Sequence, residues 1–170
     1  MRWKPPALGL HGRLHRPCAH VRFGVHVHSV FATVLASLAD SRLLPIDQNC
    51  ATFFNRTVID EQYGGLAFEA EGARCASLMA DSRQKVLIMG NHGVMIIGET
   101  VADTFNRLFY FERAAETYIR ALQTGQPLRV LPDDIAEKTA RELEEYSELD
   151  TKHLTELKAI LDEEGSTYAQ

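Results

Sequence analysis

The sequence predicts an α/β fold, a layered domain closed by a helical tail, and three observations predict it. Valine- and isoleucine-rich runs alternate with helical periodicity over the first two-thirds of the chain. Two apolar runs, KVLIMG (85–90) and VMIIG (94–98), are separated only by Asn91-His92-Gly93, as in two strands joined by a tight loop. The last third carries helical patterns alone.

Taken in order, LGLHGRLHR (8–16) reads as a short helix, or as the end of a longer one, stopped by Pro17. VRFGVHVH (21–28) alternates and is rich in valine, the pattern of a strand. Ser29 supplies an N-cap for a helix over SVFATVLASLAD. Leu43 to Asp47 is a short extended stretch around Pro45, and FFNRTVIDE (53–61) reads as another strand. Gly64-Gly65 makes a turn, and Glu69 to Ala80 a helix. Beyond the paired strands, Thr100 caps a long helix from Val101 to about Gln123, stopped by Gly125 and Pro127. Helices over 133–146 and from Asp150 to Glu164 complete the chain. The expected division is a layered domain over 1–127 and a helical tail over 128–170.

The chain has 170 residues, which suits one compact domain. Its 45% hydrophobic and 24% charged residues are ordinary for a globular protein. No apolar run approaches the ~18 residues that span a bilayer, and the amino terminus has no apolar stretch of signal-peptide type. The expected location is the cytoplasm, with no membrane partner. Cys18, Cys50 and Cys75 are scattered and form no CxxC pair, which argues for reduced thiols. The net charge of −5 is uneven: residues 1–30 hold five Lys/Arg and no acid, leaving −10 on the remainder. That acidic remainder argues against a nucleic-acid partner.

His26 and His28 stand two residues apart on the first strand, so both imidazoles project from one face. His92 adds a third ring from a distant turn, between Asn91 and Gly93. Glycine at that turn permits a sharp bend and a close approach. Two imidazoles from a strand and one from a separate loop make the three-ligand set of a catalytic zinc site, with a position left open. Glu112 lies on the same stripe of the long helix as Phe105, Leu108, Ala115, Ile119 and Leu122. A carboxylate on an apolar face needs a partner. The candidates are a ligating imidazole, an arginine, or another subunit.

With these residues in place, the chain resembles the class II aldolase/adducin family. The resemblance rests on HVHSVFATVLASL, on NHGVMIIG, on the helix containing FERAAETYIRAL, and on LHGRLHR upstream; it runs from about Leu8 to Gln123. It implies a class II aldolase-like layered domain with a central, mainly antiparallel β-sheet flanked by helices. It implies that His26, His28 and His92 hold a divalent metal ion, zinc foremost, with Asn91 and Gly93 shaping the site loop. The implied activity is a lyase reaction on a small-molecule carbonyl substrate, C–C cleavage through a metal-stabilised enediolate. Family members commonly form homo-oligomers.

Two departures accompany the resemblance. The family's general acid/base is a glutamate before the first helix, and its place here falls on Ala7, which can neither move a proton nor bind metal. No Asp or Glu occurs in residues 1–39. Family domains also begin earlier, with strands and a glycine-rich phosphate loop. The expectation is therefore an amino-terminally truncated domain with impaired activity, and as the alternative a non-catalytic, adducin-like assembly module. For that alternative, Ile135, Thr139, Leu143, Leu154, Leu157 and Leu161 offer apolar stripes, whose plainer use is to cover this chain's own sheet.

Overall fold

Alternation along two adjacent strands sets the architecture. The computed structural model describes residues 5–65, 69–146 and 148–168. Its elements are helix α1 (Pro5–His15), strand β1 (Phe23–Val27), helices α2 (Val30–Ala36) and α3 (Gln48–Thr52), and strand β2 (Thr57–Asp60). Then come helix α4 (Glu69–Leu78), strands β3 (Val86–Met89) and β4 (Gly93–Gly98), and helices α5 (Val101–Gln123), α6 (Asp133–Glu145) and α7 (Glu148–Glu163). Val86, Ile88, Val94 and Ile96 enter one core with α2, α3 and α5, while Leu87, Met89, Met95 and Ile97 enter a second core with α1 and α4. Both sheet faces are covered, so β3 and β4 read as continuous apolar runs.

The sheet order is β1-β4-β3-β2. β4 pairs antiparallel with both β1 and β3, and β2 joins β3 in parallel. This is the mainly antiparallel, helix-flanked sheet that the resemblance implied. Among the described residues, no helix is long and apolar enough to cross a membrane.

Three local readings need correction. The expected strand over 53–61 shrinks to β2, because Asp47 caps α3 by accepting from Cys50 N at 2.7 Å and Asn55 takes a positive φ of 56°. The helix after Ser29 stops at Ala36, whose carbonyl accepts from Asn91 N at 2.8 Å, tying its end to the β3–β4 turn. The stripe Ile135, Thr139, Leu143 does not cover the sheet: α6 buries Ala136 and Ala140 instead, leaving Ile135 and Leu143 exposed. α6 is fastened by Arg56, which is 4% exposed and reaches Glu137 at 2.5 Å and Glu144 at 3.0 Å. α7 lies along α5, where Asp150 accepts from Asn106 at 2.6 Å.

Candidate metal centre

β1 sends Val25 and Val27 toward the α2/α5 core. Strand alternation therefore turns His26, and His28 just past the strand end, to the opposite face. The register sets His26 beside Met95 and Val27 beside Val94. His26 Nδ1 lies 3.0 Å from the Val94 carbonyl, where it donates. That bond fixes the tautomer and leaves Nε2 with its lone pair free.

His92 is set by the turn between β3 and β4. Three backbone bonds pin it: Gly90 N to Asp60 O at 2.9 Å, Asn91 N to Ala36 O at 2.8 Å, and His92 N to Met89 O at 3.0 Å. The sharp bend expected of Gly93 belongs to Asn91, whose φ is 56°. Gly93 serves the close approach. A Cβ there would stand 2.6 Å from Val27 O and 3.0 Å from His28 Cδ2.

The structure brings the three predicted imidazoles together. His26 Nε2 lies 3.1 Å from His28 Nε2 and 3.2 Å from His92 Nε2, and the candidate ligand atoms of all three fall within 4.8 Å of one another. Two nitrogens bound to zinc at ~2.0–2.1 Å in tetrahedral geometry stand roughly 3.3 Å apart, so the spacing fits one small cation. Burial lowers the pKa of His26, opposed by the Val94 bond and aided by His28; burial lowers His92 too, with His26 and His28 adding to the effect. Rings held neutral keep their lone pairs for a ligand role. His26 and His92 are half-buried and His28 is exposed, so the cluster opens to solvent.

Glu112 does not bond an imidazole; both its oxygens serve the start of α2. It accepts from Ser29 Oγ at 2.7 Å, Phe31 N at 2.7 Å and Ala32 N at 2.9 Å. Ser29 holds the N-cap position without making the side-chain cap expected of it, because its hydroxyl is turned to Glu112. The carboxylate of α5 thus caps the helix that begins immediately after His28. Ala7 falls in α1, with its side chain outside those described, and α1 contains no Asp or Glu.

One neighbour escaped the sequence reading. Tyr63, 9% exposed, sets its ring 4.5 Å from that of His92. It follows a short strand and precedes two glycines, and nothing in that pattern announces a site residue.

Comparison with known proteins agrees with this layout. The family model described as the class II aldolase and adducin N-terminal domain matches residues 3–119. The chain is 25% identical over 138 residues to the decarboxylase NovR of Streptomyces niveus, covering 81% of this chain and 50% of that protein. It is 30% identical over 112 residues to human gamma-adducin, covering 66% of this chain and 15% of that one. A solved aldolase II superfamily protein from Pseudomonas syringae superposes with a TM-score of 0.83 at 23% identity, over 96% of this chain and 65% of that chain. The chain thus spans half the decarboxylase and a smaller share of the adducin.

Proposed function

Because the chain belongs to the class II aldolase and adducin N-terminal domain family, we propose that His26, His28 and His92 hold a divalent metal ion, zinc foremost, at a lyase-type site. The observation that carries this reading is the convergence of three ring nitrogens, one of them fixed as a lone-pair donor by the Val94 carbonyl. When bound, the ion supplies Lewis-acid polarisation of a carbonyl oxygen, which stabilises the charge that develops as a neighbouring carbon–carbon bond breaks. The relative NovR is named a decarboxylase, and loss of a carboxyl group breaks a carbon–carbon bond.

The chain's own residues provide holding and access. His26 and His92 grip from the half-buried side, and His28 stands at the solvent edge where a small carbonyl compound can enter. Proton transfer is poorly served: α1 offers no carboxylate, and the Glu112 carboxylate is engaged at α2. The reading is therefore a metal-binding lyase-type domain of low turnover. The test is metal analysis of tag-free protein dialysed against zinc. One ion per chain, lost in His92→Ala, is expected; no zinc in the parent, or parent-like binding in the variant, overturns the reading.

An assembly role is the second reading, favoured by the exposed Ile135 and Leu143 of α6 and the exposed Tyr146 that follows it. It calls for a homo-oligomer in sedimentation equilibrium that Ile135→Glu dissociates. A monomeric parent removes it.

A further inference from the structure

A ligating imidazole needs its ring held in place, and the three rings are held differently. His26 is fixed by its bond to Val94 O. The His92 ring has no such partner: among the described residues, the ring's one hydrogen-bonding contact is Nε2 to His26 Nε2, the atom a metal would claim. Three rings lie against it. His26 lies nearly parallel at 5.1 Å, His28 edge-on at 4.4 Å, and Tyr63 tilted by 31° at 4.5 Å. Of these, Tyr63 alone is outside the proposed ligand set.

Tyr63 is itself firmly placed. Its ring belongs to the core that includes Cys75, Met79, Leu87 and Met89. The backbone leading to it is strapped on both sides. Asp60, 3% exposed, accepts from Arg74 Nε at 2.9 and 3.0 Å and from Gln62 N at 3.1 Å. Arg74 also donates to Gln62 O at 3.1 Å. The pair is half-buried, with the Asp60 side chain 2% and the Arg74 side chain 30% exposed, and between them the two side chains hold both the N–H and the C=O of Gln62. The pair thus fixes the loop that delivers Tyr63. Asp60 O also receives Gly90 N at 2.9 Å, so the same residue anchors the turn that carries His92.

We propose that Tyr63, delivered by the Asp60–Arg74 strap, is a positioning residue that orients His92 for metal binding by ring contact. The proposal rests on the metal reading above. It concerns the aromatic ring, so Tyr63→Phe retains the function and variants without the ring lose it. Groups that orient a metal ligand commonly contribute 10- to 100-fold in affinity.

The experiment is cobalt(II) titration of the full chain, followed by visible absorption and by competition with a chelator. Tyr63→Phe binds within about twofold of the parent, while Tyr63→Leu and the volume-refilling Tyr63→Met bind roughly 10-fold or more weakly with altered bands. Ring-less variants that fold and bind like the parent overturn the proposal. If neither ring-less variant folds while Tyr63→Phe does, Tyr63 is a core residue only and the proposal falls. A parent that takes up no cobalt and no zinc removes the metal reading and this inference together; parent uptake with unaffected Tyr63 variants removes this inference alone.

Discussion

Glu112 offers the sharpest test of how the long helix supports the site. The perturbation is Glu112→Gln, which keeps the shape and removes the charge. The carboxylate accepts three bonds, from Ser29 Oγ at 2.7 Å and from Phe31 N and Ala32 N at 2.7 and 2.9 Å. Bonds to an ionised acceptor contribute roughly 1.5–3 kcal/mol and neutral ones about 1. The two amides also sit at a helix N-terminus, where a negative charge adds ~0.3–1 kcal/mol. An amide side chain presents one oxygen where the carboxylate presents two, so one donor faces an NH2 group. Glu112 is half-buried, so water recovers part of the loss. The net expectation is about 2 kcal/mol for Glu112→Gln and about 3 kcal/mol for Glu112→Ala, which leaves all three donors to solvent.

For a domain of this size, ~2–4 °C of Tm accompanies each kcal/mol, so the glutamine variant melts roughly 4–8 °C below the parent. Urea denaturation followed by circular dichroism measures the difference directly. Because the α2 N-cap follows His28, the metal reading proposed above expects the same variant to bind zinc several-fold more weakly. A glutamine variant within about 0.5 kcal/mol of the parent, with unchanged zinc affinity, refutes the capping argument.

Three further outcomes follow from particular contacts. Gly93→Ala drives a methyl against Val27 O and the His28 ring, at 2.6 and 3.0 Å; a loss of about 1–3 kcal/mol in urea and weaker zinc binding are expected, and a stable, tight-binding variant contradicts the close-approach role. Arg56→Met frees Glu137 and Glu144, whose side chains are 37% and 33% exposed and can rehydrate, so the cost is about 2 kcal/mol rather than the ~3–5 of a fully buried pair. Hydrogen exchange reads it as lost protection in α6, and unchanged α6 protection counts against the strap. Finally, burial lowers the imidazoles of His26 and His92 below the ordinary 6.5. The unfolded chain then takes up protons first, so metal-free stability is full above pH 6.5 and falls as pH drops through that range; a flat stability profile between pH 7.5 and 5.5 contradicts it.

The elements that the sequence revealed are those whose physics is local. The β3 and β4 runs are apolar at every position because both faces are buried. α5 carries its own cap in Thr100, which accepts from Asp103 N at 3.0 Å, and its own stop in Gly125 at φ 68°. His26 and His28 share a face by strand alternation alone. The rest depends on which strands become neighbours, a property no single segment holds. His92 meets His26 because β4 lies between β1 and β3, with Val94 beside Val27. The helical stripe marks Glu112 as an unusual carboxylate, yet its partners begin some eighty residues upstream, at Ser29, Phe31 and Ala32. Tyr63 reaches His92 through a loop placed by a salt bridge to α4. In α6 the side that buries is not the one its hydrophobic stripe predicts, for a different reason. Close packing on α3 and Arg56 favours the small Ala136 and Ala140 over the larger Ile135 and Leu143, so volume, rather than hydrophobicity, chooses the face.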